Sequence, residues 1–182
     1  RALETFAVVA VGAGIGAGIV HDGKLLRGAH GSAGEVAFLP PYGGLIRDHT
    51  LRRDEAGGLR LLEAAKQRSD WLGAPPTSVE DLFRRAAAGE EPATALVEDE
   101  CRHIASVIAA ICAVVDPEKV ILTGGVGGNQ DLIDRVDTLV ARMAAFPPPV
   151  VRSDLDGRAS LVGAIWLATR VARTELLAAT AT

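Results

Sequence analysis

The chain has 182 residues, of which 48% are hydrophobic and 23% charged. That suits one globular domain, or one domain with an added piece, and excludes a disordered or fibrous class. The net charge of −4 argues against nucleic-acid binding by this chain, because non-specific affinity needs clustered Lys and Arg to neutralise several phosphates, and the basic pairs Arg52-Arg53 and Arg84-Arg85 are followed or preceded within a few residues by Asp and Glu, as on a solvated face.

The first elements are strands. "FAVVAV", "GIGAGIV" and "KLLRGA" read as three in succession, and Asp22-Gly23 between apolar runs signals a two-residue type I′ hairpin. Eight glycines fall within residues 9 to 35, so the backbone there either turns sharply or is approached closely. A polar, Gly- and Pro-rich stretch runs from Pro40 to Gly58 and contains His49, read as a surface residue. Helical patterns follow at 58–72 and 78–88, the second with "TSVED" as its capping signal and Gly89 as its stop. A long helix from Pro92 to Val115 carries Cys101 and Cys112 in one apolar pattern, which makes them small buried hydrophobes. "PEKVILTGGVGGN" is a short buried strand ending in glycines, and a helix from Gln130 to Ala145 follows it. "PPVVRSDL" is a further strand and "ASLVGAIWLATRVA" a last helix. A meander that gives way to alternating strands and helices describes an α/β layer with a mixed sheet. The apolar run "IASVIAAICAVV" is too short to span a bilayer, no signal peptide is visible, and cysteine usage fits a reducing cytoplasm. With Arg1 leading almost directly into a strand, the sequence reads as part of a longer cytoplasmic protein.

Two glycine clusters carry the chemistry. Gly12, Gly14, Gly16 and Gly18 alternate through the first hairpin. A dinucleotide fingerprint would lead into a helix, whereas these lead into a strand, so that reading fails. A hairpin whose N–H groups face a phosphate stays open. The second cluster, with Gly124, Gly125 and Gly127, lies between a strand and a helix, where an open α/β sheet places ligands. Each cluster alone is also compatible with a tight turn.

Together the clusters match the actin-like (ribonuclease H-like) sugar-kinase fold, and the resemblance extends to motifs. "VGAGIGAGIVHDGKLLRGAHGSAGE" resembles the Gly-rich signature of the ROK family (repressors, open reading frames and sugar kinases). "VVDPEKVILTGGVG" resembles that family's later strand-Gly-Gly segment, and "ASLVGAIWLA" its closing helix. The resemblance covers residues 6 to 172 and implies the carboxy-terminal lobe of such a protein. It also implies that Glu35, in "AGE", and Glu63, in "LLEAA", accept hydrogen bonds from sugar hydroxyls. Each has a plainer alternative. Ser32 and Glu35 also have capping-box spacing, and Glu63 also suits a solvated helix face. His21 and His30 flank hairpin turns and read as structural.

Several family features are missing. Kinases of the family carry an Asn-Asp pair, with the Asp as general base, and a phosphate loop, both upstream of the residues present here. Ala13 stands where the family has a Thr able to hydrogen-bond a phosphate, so Gly12, Ala13, Gly14 and Gly16 read as remnants of a nucleotide loop that has lost its ligand. Phe38 stands at the family's zinc His position, and no Cys lies between Leu39 and Leu62. The expectation is therefore no metal and no cofactor. These losses resemble the family's transcriptional regulators. The main expectation is a sugar-sensing and dimerising effector domain that binds a sugar or sugar phosphate and reaches DNA only through a domain absent here. The alternatives are the carboxy-terminal lobe of a ROK sugar kinase acting on a hexose or N-acetylhexosamine, or a degenerate dimerisation scaffold.

Overall fold

The computed structural model describes residues 2–39 and 56–179. Most of the polar stretch from Pro40 onwards, with His49 and the Arg52-Arg53 pair, lies outside the described residues.

β1 (Phe6–Val11) and β2 (Ile15–His21) form an antiparallel hairpin with Phe6 opposite Val20 and Val11 opposite Ile15. Asp22 and Gly23 take φ of 50° and 69°, both positive as the type I′ turn requires. β3 (Lys24–Leu25) is shorter than "KLLRGA" suggests. After the Leu26 N–H donates to the Ile19 carbonyl, the chain leaves the ladder through Gly28 and Gly31, both at positive φ.

α1 (Gly58–Gln67) ends five residues before the expected position 72. Its C-cap Arg68 is extended, and Trp71 folds back to donate its indole N–H to the Ala65 carbonyl at 2.8 Å. α2 (Val79–Ala87) begins where expected, with the Ser78 hydroxyl accepting from the Asp81 N–H. α3 (Glu91–Val115) stops at Asp116 in the left-handed region. β4 (Val120–Thr123) passes directly into the single turn α4 (Gly124–Gly127). α5 (Gln130–Met143) is capped by the Asn129 side chain, which accepts from the Leu132 N–H. β5 (Val150–Arg152) and α6 (Ala159–Ala179) complete the chain.

The sheet order is β3-β2-β1-β4-β5, with the hairpin strands antiparallel and β1-β4-β5 parallel. This is the mixed α/β sheet expected from the sequence. Its core joins Val9, Val11, Val120 and Leu122 of the strands to Leu61, Leu82, Ile104, Ile108, Leu132 and Val136 of the helices. Each such side chain contributes about 1.5–3 kcal/mol by leaving water. Cys101 is buried and Cys112 partly so, and both are free thiols. Burial pushes the Cys101 thiol up to about 11, so it behaves as a small hydrophobe. No helix among the described residues is long and apolar enough to cross a membrane.

Candidate functional site

Because β1 and β4 are parallel, with Ala10 opposite Thr123, their carboxyl ends lie at the same edge of the sheet. Both glycine clusters start there. Gly124 sits directly on the Val11 backbone, and Gly127 packs on the Val11 side chain. The two clusters that stand apart in sequence are thus one piece of surface.

The turn Gly12-Ala13-Gly14 has all three of its carbonyls occupied by protein donors. Gly12 accepts from the Gly58 N–H at 2.7 Å, Ala13 from the Leu59 N–H at 3.1 Å, and Gly14 from the Gly12 N–H at 2.9 Å. No peptide bond here is cis. In a planar trans peptide the N–H points opposite to the C=O. Tying the Gly12 and Ala13 carbonyls to α1 therefore aims the Ala13 and Gly14 N–H groups away from it. Neither has an acceptor among the described residues, and Ala13 is exposed. Two adjacent outward N–H groups can both donate to one anion. Residue 13 lacks the hydroxyl expected from the family pattern, but these donors belong to the backbone and do not depend on it.

At the corner where Gly124 rests on Val11, a cavity of about 240 Å3 opens between the β4–α4 corner and β5. Thr123, Gly124, Gly125, Asn129, Arg152 and Ser153 line it. The Ser153 N–H, donating to the Leu122 carbonyl at 2.9 Å, fixes the β5 wall.

Glu35 lies next to β2. The Ala17 N–H donates to the Gly34 carbonyl at 2.9 Å, which seats the segment against the strand. Glu35 precedes a 3-10 turn at Val36–Phe38 without capping it by its side chain. Residues 32–35 form a turn, in which the Glu35 N–H donates to the Ser32 carbonyl at 3.2 Å, and no helix starts there. The capping-box alternative is therefore not formed. The Glu35 side chain is exposed. Glu63 is an exposed residue of α1, one and a half turns beyond the helix start at the hairpin tip. Phe38 is exposed, and among the described residues no cluster of three or more His, Cys, Asp or Glu side chains could hold a metal ion.

The sequence reading missed Glu100. It lies fully buried on α3, where Oε1 accepts from the Gly57 N–H at 2.6 Å. Arg60 reaches Glu100 Oε2 at 3.5 Å and pairs closely with Asp99. Burial pushes the Glu100 carboxyl up to about 7, against the Gly57 hydrogen bond and the Arg60 charge that pull it down. For Asp99, desolvation pulls upward, but the Arg60 hydrogen bond and the Arg60, His103 and Arg102 charges outweigh it and leave the carboxyl below its ordinary value. The signal for Glu100 was present in the sequence. It falls in phase with Leu96, Val97, Ile104 and Ile108 on the apolar stripe of α3.

The ROK family model matches residues 1–42 and 60–171. The chain is 32% identical over 166 residues to an N-acetylmannosamine kinase of Escherichia coli, covering 88% of this chain and 55% of the kinase. It is also 32% identical over 161 residues to the bifunctional enzyme NanE/NanK of Brucella melitensis, covering 87% of this chain and 29% of that one. Among solved structures, the ROK hexokinase of Thermus thermophilus superposes with a TM-score of 0.73 at 28% identity, over 89% of this chain and 56% of the hexokinase. The chain thus spans just over half the length of the N-acetylmannosamine kinase and of the hexokinase.

These relatives overturn the expectation of a regulator's effector domain. A ROK transcriptional regulator shares the fold with a TM-score of 0.68, but at 20% identity, whereas the relative at 32% identity over 166 residues is an N-acetylmannosamine kinase and the solved structure at 28% a ROK hexokinase. The regulator reading leaned on the missing Thr at residue 13, on the missing zinc motif and on motifs that the family carries upstream of the residues present here. The first says little about a turn that presents backbone donors, most of the zinc segment between Leu39 and Leu62 lies outside the described residues, and the last concerns residues that are not part of this sequence. On the family model and the shared sheet, the chain belongs to the ROK family.

Proposed function

We propose that the chain is the carboxy-terminal lobe of a ROK sugar kinase, which transfers the terminal phosphoryl group of ATP to a hydroxyl of a hexose or N-acetylhexosamine. The observation that carries this reading is the Gly12-Ala13-Gly14 turn, with its carbonyls tied inward and the Ala13 and Gly14 N–H groups turned outward. Phosphoryl transfer asks a protein chiefly to position phosphates and stabilise their charge, and preorganised N–H donors do both without reorienting. In this reading those two groups meet phosphate oxygens of the nucleotide substrate. The cavity beside Thr123, Gly125 and Arg152 takes its nucleoside end. Glu35 and Glu63 accept hydrogen bonds from sugar hydroxyls, which an ionised carboxylate does with either oxygen. Residues 1–182 act as a single lobe, and the general base that the family resemblance implies belongs to residues before Arg1. The names of the N-acetylmannosamine kinase and hexokinase relatives support the substrate class.

The test is ADP release by the full-length protein carrying this lobe, given Mg-ATP and either N-acetylmannosamine or glucose. Sugar-dependent ADP is expected with one of them. Sugar binding by calorimetry with no ADP release and no affinity for Mg-AMP-PNP would sink the reading.

A further inference from the structure

Among the described residues, Glu100 is the one carboxylate without exposed surface, and neither the fold nor the proposed chemistry has yet used it. A buried carboxylate is costly unless it is hydrogen-bonded and paired, and an apolar side chain of similar volume often stabilises a core as well or better. What Glu100 adds to the apolar stripe of α3 is a directed acceptor. Its Oε1 receives the Gly57 N–H at 2.6 Å, the donor at the mouth of α1, where a negative charge also suits the helix dipole. Gly57 in turn rests on the turn: a Cβ there would stand 2.7 Å from both the Ala13 carbonyl oxygen and the Gly14 Cα. The next two N–H groups, of Gly58 and Leu59, hold the Gly12 and Ala13 carbonyls. Three consecutive donors of α1 therefore run from the core carboxylate to the turn. Arg60, one residue further, steadies the acceptor through Oε2.

We propose that Glu100 is a positioning residue for phosphate recognition: from α3 it anchors Gly57, and through it the first turn of α1, which aims the Ala13 and Gly14 N–H groups. This rests on the kinase reading above and extends it to a residue that touches no substrate. The acceptor oxygen is the operative feature, so Glu100→Gln preserves the function and Glu100→Leu removes it.

The experiment uses the full-length protein, with the Kd for Mg-AMP-PNP measured by calorimetry and Tm measured alongside. Glu100→Leu is expected to weaken nucleotide binding about tenfold or more, the effect of leaving the buried Gly57 N–H without its acceptor. Glu100→Gln is expected to stay within about threefold of wild type, since the amide oxygen still accepts. Val136→Ala, a core truncation in α5, is expected to lower Tm and leave the Kd unchanged, which separates positioning from general loosening. If Glu100→Leu does not fold, Glu100→Asp keeps the charge, withdraws the oxygen by one methylene, and is expected to weaken binding in the same sense. The proposal is overturned if the folded Leu or Asp variant binds nucleotide like wild type. It is equally overturned if Gln weakens binding as much as Leu, or if Val136→Ala weakens it as much as either. Wild-type protein that binds no nucleotide overturns the kinase reading itself, an outcome distinct from the others.

Discussion

The β1–β2 hairpin and the β4–α4 corner are both rich in glycine, yet a methyl group would meet very different surroundings in the two. At Gly12, Gly16 and Gly18 an added Cβ finds nothing within 4 Å. At Gly124 it would stand 2.4 Å from the Val11 carbonyl oxygen, with φ at +97°, so both space and backbone conformation demand glycine. Gly57, outside either cluster, is just as constrained, at φ +116° against Ala13 and Gly14. The conspicuous run of alternating glycines is thus mostly permissive. The obligatory ones are those on which a second segment is laid: the corner on β1, and α1 on the turn.

The comparison breaks most easily at the corner. Gly124→Ala pushes against backbone atoms of β1 that cannot rotate away, and is expected to cost about 3 kcal/mol or more. Urea unfolding checks this, and a loss under about 1 kcal/mol would mean the corner relaxes freely. The α1 contact can be probed by pH through Glu100. Its folded-state carboxyl is raised from 4.5 to about 7, so the folded chain holds a proton that the unfolded chain has released. The resulting stability is full below pH 4.5 and is lost as pH rises to 7, a difference on the order of 3 kcal/mol. Subtracting the stability–pH curve of Glu100→Gln from that of wild type isolates it, and parallel curves would contradict it.

A third close approach sharpens the contrast on the sugar side. A Cβ at Gly34 would stand 2.0 Å from the Ala17 carbonyl oxygen, so that contact fixes where Glu35 leaves β2. Glu35→Ala in the full-length protein is expected to weaken sugar binding roughly 10- to 150-fold, the worth of a hydrogen bond involving a charged group. Its Tm should hardly move, because the side chain is exposed and caps nothing. A Tm drop with unchanged sugar affinity would remove Glu35 from the site. The smallest effect belongs to the permissive positions. Gly16→Ala or Gly18→Ala is expected to raise stability by roughly 0.5–1 kcal/mol, seen as a higher midpoint in thermal melts. A loss there would mean the hairpin face is more crowded than its geometry shows.

What could be read in the sequence is what local chemistry decides. Asp22-Gly23 makes its turn, Ser78 and Asn129 cap the helices they precede, and both glycine clusters begin where a strand ends. The strand "KLLRGA" was overread because Leu-Leu looks like a sheet residue pair, while its continuation depends on a ladder that ends at Ile19. The meeting of the clusters needed the parallel β1–β4 register, which joins residues more than a hundred positions apart. The Glu100–Gly57 bond spans 43 residues and showed only as a carboxylate in phase with an apolar stripe. The regulator expectation failed for a related reason. The missing hydroxyl at residue 13 counted, with the missing zinc and upstream motifs, as loss of the nucleotide site, whereas the donors at that turn are peptide groups that no letter encodes.

From Ser160 to Leu176 no residue of α6 is buried, although Leu161, Ile165, Trp166 and Leu176 are among them. A 21-residue helix without packed support is marginal in water, because its stability in a protein comes mainly from the apolar face it buries. Studied alone, this chain therefore consists of two cooperative units rather than one. The helix frays first, with little heat absorbed, and the sheet with its buried helices melts later in a sharp transition. Ellipticity would begin to fall before tryptophan fluorescence from Trp71 changes, and an unfolding free energy would describe the sheet with its buried helices and leave α6 out.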